Sequence, residues 1–175
     1  PKTELGVGQT LRFKAAVRFT GVAGTGNFRY GIFQKRSKDH TKKWLGYCAY
    51  AGLDKAFPKG NLLARLPEND GDFSGMKGSK GEETARSLGE SGTGIKTIKD
   101  GGYLILMELK RDATGIEVKA NMDGSADLPV PMVSYSARDD QPATTSFDAV
   151  GFVTHEVLST DSIEFSDISL QLQGP

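Results

Sequence analysis

The chain has few residues of the kinds that cross-link a fold or hold a metal ion. Cys48 is its only cysteine, so no disulfide bond can form within the chain and the core has to hold by packing. The only histidines are His40 and His155, and neither they nor Cys48 have the spacing of zinc ligands. A zinc site would need carboxylates from distant segments, so the sequence predicts none.

An excess of charge of one sign is also missing. Lys and Arg total 22 and Asp and Glu total 22, so no overall field favours nucleic acid, an acidic membrane or a polyanion. No apolar run approaches the roughly 18 residues of a membrane-spanning helix. The sequence opens PKTELGVGQT, without a charged and then apolar leader, which suits a soluble protein or one whose export signal has been removed. We therefore expect no nucleic-acid partner and no membrane insertion.

Long stretches with helical periodicity are absent as well, and short strands take their place. Apolar and polar residues alternate from Leu11 to Phe19, as in a strand with one buried face. Tyr103 to Met122 has the pattern of a hairpin, and Phe147 to Phe152 and Ile163 to Leu172 add further strands. Roughly eight to twelve short strands in 175 residues predict a single all-β domain, residues 1–175, folded as a two-sheet antiparallel β-sandwich.

Two strands and one long connection depart from this simple pattern. Phe28 to Gln34 and Trp44 to Ala51 carry large side chains at both odd and even positions. Such strands are covered on both faces, or have one face in the core and the other lining a groove. Leu62 to Leu66 is a weaker strand candidate. Residues 69–102 contain nine glycines among polar residues, so we predict a long Gly-rich loop there.

The order of these segments resembles a known fold. The segments concerned are VGQTLRFKAAVRFT, NFRYGIFQ, WLGYCAYA, GYLILMELKRDATGIEVKANMDG, FDAVGF and IEFSDISL. In this order they resemble the concanavalin A-like lectin and glucanase jelly rolls. The resemblance is specifically to uncharacterised domains of that kind in secreted proteins of polysaccharide-degrading bacteria. It covers nearly the whole chain except residues 69–102. The resemblance implies a curved sandwich whose concave sheet often binds glycans in relatives, and a secreted or periplasmic location. It carries no chemistry across by itself.

The acidic residues do not have the spacing of a glycosidase site. Glycoside hydrolysis needs two carboxylates across one bond, and the glucanases of this fold carry them two to four residues apart on one strand. No acidic residue lies two positions from any of Glu108, Glu117, Glu156 or Glu164. Pairs between strands stay open, so we assign no catalytic residue and leave enzymatic activity undecided, with a non-catalytic role favoured.

Glycines interrupt three otherwise bulky strands at Gly31, Gly46 and Gly151. Glycine weakens a strand and needs a reason, such as the close approach of a ligand. If the neighbouring apolar positions face the core, alternation places aromatic rings and an arginine on the opposite face, where pyranose rings can stack. The predicted ligand-binding residues are Arg29, Trp44 and Tyr50, with His155 at the rim. Alternatively, the glycines mark bulges and the aromatic rings lie under a loop.

A basic run beside that face extends the hypothesis to charged sugars. The run comprises Lys35, Arg36, Lys38, Lys42 and Lys43. Lys and Arg suit the anionic groups of uronic or sulfated sugars. A solvated hairpin tip has the same composition, so the run by itself does not decide between the two.

Two acidic turns could supply oxygen ligands to a structural calcium ion. The first holds Asp123, Ser125 and Asp127, and the second holds Asp139 and Asp140. Ordinary turn residues have the same composition. No other cofactor is predicted.

The sequence thus favours a non-catalytic carbohydrate-binding or accessory module whose partner is a polysaccharide or oligosaccharide, with an anionic glycan as the candidate ligand. One alternative is a structural or protein-interaction sandwich in which the same aromatic residues belong to the core. A further alternative is a polysaccharide lyase or glycoside hydrolase that uses Tyr, His and Arg residues from separate segments. The sequence leaves the oligomeric state open.

Overall fold

The structure of the protein is a computed structural model. It describes residues 2–36, 38, 44–52, 62–66, 86–90, 94–95, 97–125, 128, 133–156 and 158–175. These residues form twelve strands and no helix, in agreement with the all-β prediction. A search of the same residues for a helix with the length and apolarity needed to span a membrane finds none.

The strands follow one another along the whole described chain. In order they are β1 (Thr3–Glu4), β2 (Thr10–Thr20), β3 (Gly26–Lys35), β4 (Trp44–Ala51), β5 (Leu62–Leu66), β6 (Arg86–Glu90), β7 (Gly101–Arg111), β8 (Ile116–Gly124), β9 (Val133–Asp139), β10 (Ser146–Phe147), β11 (Ala149–Glu156) and β12 (Ser162–Gln173). The predicted strands all appear among them, including the weak candidate that forms β5.

Two five-stranded antiparallel sheets make up most of the fold. Sheet I has the order β11-β3-β4-β5-β6, sheet II has the order β12-β2-β7-β8-β9, and β1 pairs with β10 in a small third sheet. The last strand lies beside β2, so that Leu172 pairs with Leu11 and Ile163 pairs with Phe19. Two antiparallel sheets stacked over one core agree with the predicted sandwich.

The core fills the space between the two sheets. In β2 the residues at odd positions, Leu11 to Phe19, are buried, while their even neighbours are partly or fully exposed. Rings from the two sheets meet directly: the ring centroids of Phe19 and Phe28 lie 5.1 Å apart, edge to face, and those of Phe13 and Phe152 lie 5.8 Å apart. Each such buried ring stabilises the fold by about 1.5–3 kcal/mol relative to an exposed one.

The predicted loop at 69–102 is wrong in its second half. Arg86–Glu90 forms strand β6 at the edge of sheet I, and β7 already begins at Gly101. Between them Ile95 and Ile98 are buried in the core cluster. An edge strand bonds to its neighbour through the backbone, so a polar sequence can form one without the apolar alternation that reveals inner strands. Residues 69–85 lie outside the described residues.

Polar side chains fasten the hairpin between β7 and β8. The Asp112 carboxylate accepts the backbone N–H groups of Thr114 and Gly115 at 2.8 and 2.9 Å. Arg138 of the neighbouring β9 donates two further hydrogen bonds to that carboxylate. These contacts, led by the Arg138 side chain, hold the pKa of Asp112 well below its usual value.

Candidate functional site

Strands β3 and β4 are buried on both faces. From Gly26 to Phe33 every position is buried, and so is every position of β4 after Trp44. The positions that do not face sheet II form what we call the outer face of sheet I. It comprises Asn27, Arg29, Gly31, Phe33 and Lys35 of β3 and Trp44, Gly46, Cys48 and Tyr50 of β4. The predicted ligand-binding residues of these two strands therefore share one face.

The outer face has a buried end at Arg29 and Tyr50. These two residues are paired across β3 and β4, and each is only 1% exposed. The Arg29 guanidinium carbon lies 4.5 Å from the centroid of the Tyr50 ring, and Arg29 Nε donates a 2.7 Å hydrogen bond to Asn27 Oδ1. Because arginine stays charged, the ring face and the amide oxygen replace part of its lost hydration. The result is a preformed cationic group held in one orientation.

Cys48 lies on the same face and is fully buried. Burial raises the pKa of the Cys48 thiol to about 12, although the Arg29 charge and a side-chain hydrogen bond from Tyr50 act in the opposite direction. The residue is therefore a neutral thiol at physiological pH. A nucleophilic role would need the thiolate, so Cys48 packs rather than reacts.

His155 belongs to β11, and its backbone is paired with Asn27. The next residues along the ladder pair Val153 with Arg29 and Gly151 with Gly31. The strand register thus brings the backbone of His155 next to Asn27, which accepts the hydrogen bond from Arg29. The His155 side chain lies outside what the structure describes.

The other end of the outer face is accessible. Trp44 is paired with Lys35, and both are partly exposed. The Lys35 ammonium lies 5.1 Å from the centroid of the Trp44 ring, which also packs edge to face on Phe33 at 5.1 Å. Arg36, the next residue along the chain, is exposed. This end combines a fixed aromatic ring with a cationic group at the surface.

The two ends do not form the single open groove that the sequence suggested. Trp44 and Tyr50 lie six residues apart on one strand, a separation of roughly 20 Å. Tyr50 and Arg29 are buried, so only the Trp44 end presents itself to a ligand in this conformation.

The glycines have packing reasons. A Cβ atom on Gly31 would collide with the backbone carbonyl of Tyr47 and lie 2.5 Å from Cζ of Phe33, whose ring covers this position. Gly46 has a φ of 142°, a conformation that other residues rarely adopt. The predicted floor without side chains is thus filled by the Phe33 ring at Gly31, and the pairing of β3 with β4 shows no bulge at either glycine.

Of the basic run, Lys35, Arg36 and Lys38 are described, and Lys42 and Lys43 lie outside the described residues. Arg36 and Lys38 are exposed. Arg36 Nε donates a 3.1 Å hydrogen bond to Oε1 of Gln34, a residue on the opposite face of β3 from Lys35 by alternation. Of the described residues of the run, Lys35 contacts Trp44.

Three of the predicted calcium ligands, Asp139, Asp140 and Ser125, have protein partners. Asp139 Oδ2 accepts a 3.0 Å hydrogen bond from the buried Tyr47 hydroxyl, and Asp140 pairs with Arg138 at 2.6 Å. Ser125 Oγ donates to the Gly102 carbonyl oxygen. The described residues contain no cluster of three or more His, Cys, Asp or Glu side chains arranged for a metal ion. Asp127 lies outside the described residues.

Sequence reasoning missed two contributors to the buried end. Asn27 is 1% exposed, and its position two residues before Arg29 on the same face was the signal that could have revealed it. Tyr135 of β9 donates a hydrogen bond from its hydroxyl to the Tyr50 backbone carbonyl. This contact joins two distant strands, so no local pattern indicates it.

Comparison with known proteins adds no family assignment: no protein-family model matches the chain, and no curated protein matches it significantly.

Proposed function

We propose that the protein is a non-catalytic carbohydrate-binding module whose ligand is an anionic polysaccharide or oligosaccharide. The observation that carries the proposal is the partly exposed Trp44 ring, braced by Phe33 and flanked by Lys35. A sugar ring can stack on such an aromatic face, while the ammonium group beside it attracts a carboxylate or sulfate. The net charge of zero makes this local arrangement matter, because no global field draws a polyanion to the chain.

Two further proposals follow from the resemblance of the strand segments to the concanavalin A-like jelly rolls. We take the sandwich to be a single domain of the concanavalin A-like jelly-roll type, and its location to be secreted or periplasmic. The pairing of β12 with β2 and the two five-stranded antiparallel sheets support this fold type. A calcium ion is not required by the proposed binding site.

Direct binding measurements test the proposal. We expect saturable binding of alginate, a polyuronate, in isothermal titration calorimetry, and much weaker binding of neutral xylan. Trp44→Ala and Lys35→Ala should each weaken alginate binding roughly tenfold, which corresponds to about 1.4 kcal/mol. Raising the ionic strength should weaken binding further, since exposed charges are screened.

Matched controls come from the outer face of sheet II. Lys14 and Lys110 are exposed lysines on β2 and β7, and Lys14→Ala and Lys110→Ala should leave alginate binding unchanged. Equal losses in Lys14→Ala and Lys35→Ala would show nonspecific charge attraction and contradict a built site. No binding to a broad glycan array by the folded protein would favour the structural or protein-interaction alternative.

A second candidate function, that of a polysaccharide lyase, uses the residues of the buried end and requires that end to open to the substrate. Arg29, Tyr50 and Asn27 are in contact, and register brings the His155 backbone beside them. In a polysaccharide lyase, such groups neutralise a uronate carboxylate and transfer protons during β-elimination, which leaves a carbon–carbon double bond in the product. Ultraviolet absorbance of that double bond during incubation with alginate or ulvan is the test. Activity that is lost in Arg29→Lys but retained in Trp44→Ala would replace the binding module by an enzyme.

A further inference from the structure

The outer edge of β12 has the character of a strand that can accept another strand. β12 is the end strand of sheet II, and its outer edge pairs with no other strand in the part of the chain that the structure describes. From Ile168 to Gln173 it contains no charged residue, no proline and no glycine. Edge strands that must stay unpaired usually carry lysine, proline or a bulge, because free backbone N–H and C=O groups recruit other strands.

The apolar side chains of this segment are exposed. Ile168, Leu170 and Leu172 are 55%, 43% and 44% exposed, respectively. Leu170 pairs with Phe13 and Leu172 with Leu11, so both lie on the face of sheet II that forms the core. Together they border a groove of about 390 Å³ where β12 and β11 leave the interior open. Its apolar lining comprises Leu11, Phe13, Val150, Ile168, Leu170 and Leu172.

The opposite edge of the same sheet is different. On β9, Arg138 carries a charge at the strand surface and is tied to Asp112 and Asp140. On β12, an irregularity in the pairing between Ser166 and Ser169, with Asp167 at a φ of 51°, ends the regular stretch. A bulge bends a strand and limits pairing, so the part of the neutral edge that stays regular begins at Ser169, directly after Ile168.

We propose that this segment binds the same segment of a second copy of the chain in antiparallel orientation. A two-fold axis through Leu170 pairs Ile168 with Leu172 and Ser169 with Gln171. Apolar side chains then face apolar ones and polar side chains face polar ones, and no like charges meet. The second copy's Ile168 and Leu172 extend along the open groove, and the two copies of sheet II become one continuous sheet.

The size of the contact sets the expected strength. A strand pair of about five residues per copy with a partly filled groove is at the small end of specific interfaces. We therefore expect a reversible dimer with a dissociation constant in the micromolar range or weaker. This inference is independent of the proposed glycan site, which lies on sheet I.

Sedimentation velocity over a wide concentration range, up to about millimolar, tests the dimer. The unmodified chain should shift from monomer to dimer. Leu170→Lys and Leu170→Glu should each stay monomeric, because two like charges then face each other across the axis. An equimolar mixture of the two variants should dimerise again, since opposite charges now meet. Circular dichroism with thermal unfolding verifies that both variants fold.

Leu104→Lys is the matched control. Leu104 is 57% exposed on β7, away from the edge, so this substitution should leave dimerisation unchanged. An unmodified chain that stays monomeric at every concentration overturns the proposal. Retention of the dimer in folded Leu170→Lys also overturns it, because association then uses another face. Failure of the mixed variants to associate rules out the two-fold axis at Leu170.

Discussion

The two five-stranded sheets share one core but treat their outer faces differently. On β2 of sheet II, buried positions alternate with accessible ones, and the outer face carries charged residues such as Lys14 and Arg18. On β3 and β4 of sheet I, nearly every position is buried, and the outer face holds a buried arginine and tyrosine. A face in water tolerates many side chains, whereas a covered face requires side chains that fit one another. Substitutions on the outer face of sheet I should therefore cost more than matched substitutions on sheet II.

The largest effect is expected for Gly31→Ala. The added methyl group would collide with the Tyr47 carbonyl and the Phe33 ring, so unfolding free energy should fall by about 3 kcal/mol. In Gly89→Ala, the nearest heavy atom to the new Cβ is the Ala137 Cβ, at 3.9 Å, so the unfolding free energy should hardly change. Urea unfolding of both variants makes the measurement. Equal stability of the two would mean that the Phe33 ring can move away from Gly31.

Arg29→Met should have the next largest effect. It removes the bond to Asn27 and the contact with Tyr50, and we expect a loss of about 2 kcal/mol of unfolding free energy. Lys14→Met on the outer face of sheet II should change the same quantity by less than about 0.5 kcal/mol. Chemical denaturation at neutral pH compares them. If Arg29→Met lowers the unfolding free energy no more than Lys14→Met does, the polar contacts of Arg29 do not stabilise the buried end.

Alkaline pH should reveal the burial of Cys48. The pKa of Cys48 in the folded protein, about 12, lies above the ordinary value of 9.0. The contribution of the buried neutral thiol to the free energy of unfolding is therefore complete below pH 9 and is lost as the pH rises toward 12. The buried Tyr30 and Tyr135 have pKa values raised in the same direction. Unfolding free energy should fall by about 1.4 kcal/mol per pH unit for each group that ionises only on unfolding. In Cys48→Ala, the free energy of unfolding should fall less steeply with rising pH. An unchanged slope of unfolding free energy against pH would contradict the raised pKa of Cys48.

The smallest effect concerns the exposed turn at Asp112. The pKa of Asp112 is lowered in the folded protein, so the ionised carboxylate stabilises the fold at pH values above the ordinary carboxyl pKa. This stabilisation is lost as the pH falls through the acidic range. Asp112→Asn should therefore lower the urea midpoint slightly at pH 7 and hardly at all in acid. Asp148→Asn would serve as a comparison on sheet I, because the Asp148 carboxylate accepts the Lys35 backbone N–H. A larger loss in acid than at pH 7 for Asp112→Asn would contradict the sign.

The strands were predictable wherever a local pattern marks them. Alternation in Leu11 to Phe19 corresponds to the buried odd positions of β2, and bulky residues at both parities correspond to the burial of both faces over most of β3 and β4. Strand β6 was missed because an edge strand of polar residues lacks that alternation. The bulge near Asp167 was missed because a single positive φ leaves no apolar pattern.

The candidate site was predictable in part. Alternation correctly grouped Arg29, Trp44 and Tyr50 on one face, and the backbone of His155 is paired beside that group. The burial of Arg29 and Tyr50 was not predictable, because covering a face requires contacts from distant segments. The Tyr135 hydroxyl, which reaches the Tyr50 backbone carbonyl from the core side, is a further long-range contact that no local pattern indicates.

Sequence alone determined which segments become strands, which side chains can share a face, and that packing must hold the core without a disulfide. Those properties follow from the two-residue repeat of a strand and from composition, both of which act locally. Tertiary structure alone decided that β12 lies beside β2, that one end of the outer face is buried, and that β12 is an end strand whose outer edge pairs with no other strand among the described residues. These features depend on pairings between residues far apart in the chain, where many partners satisfy the same local pattern and only mutual packing selects one.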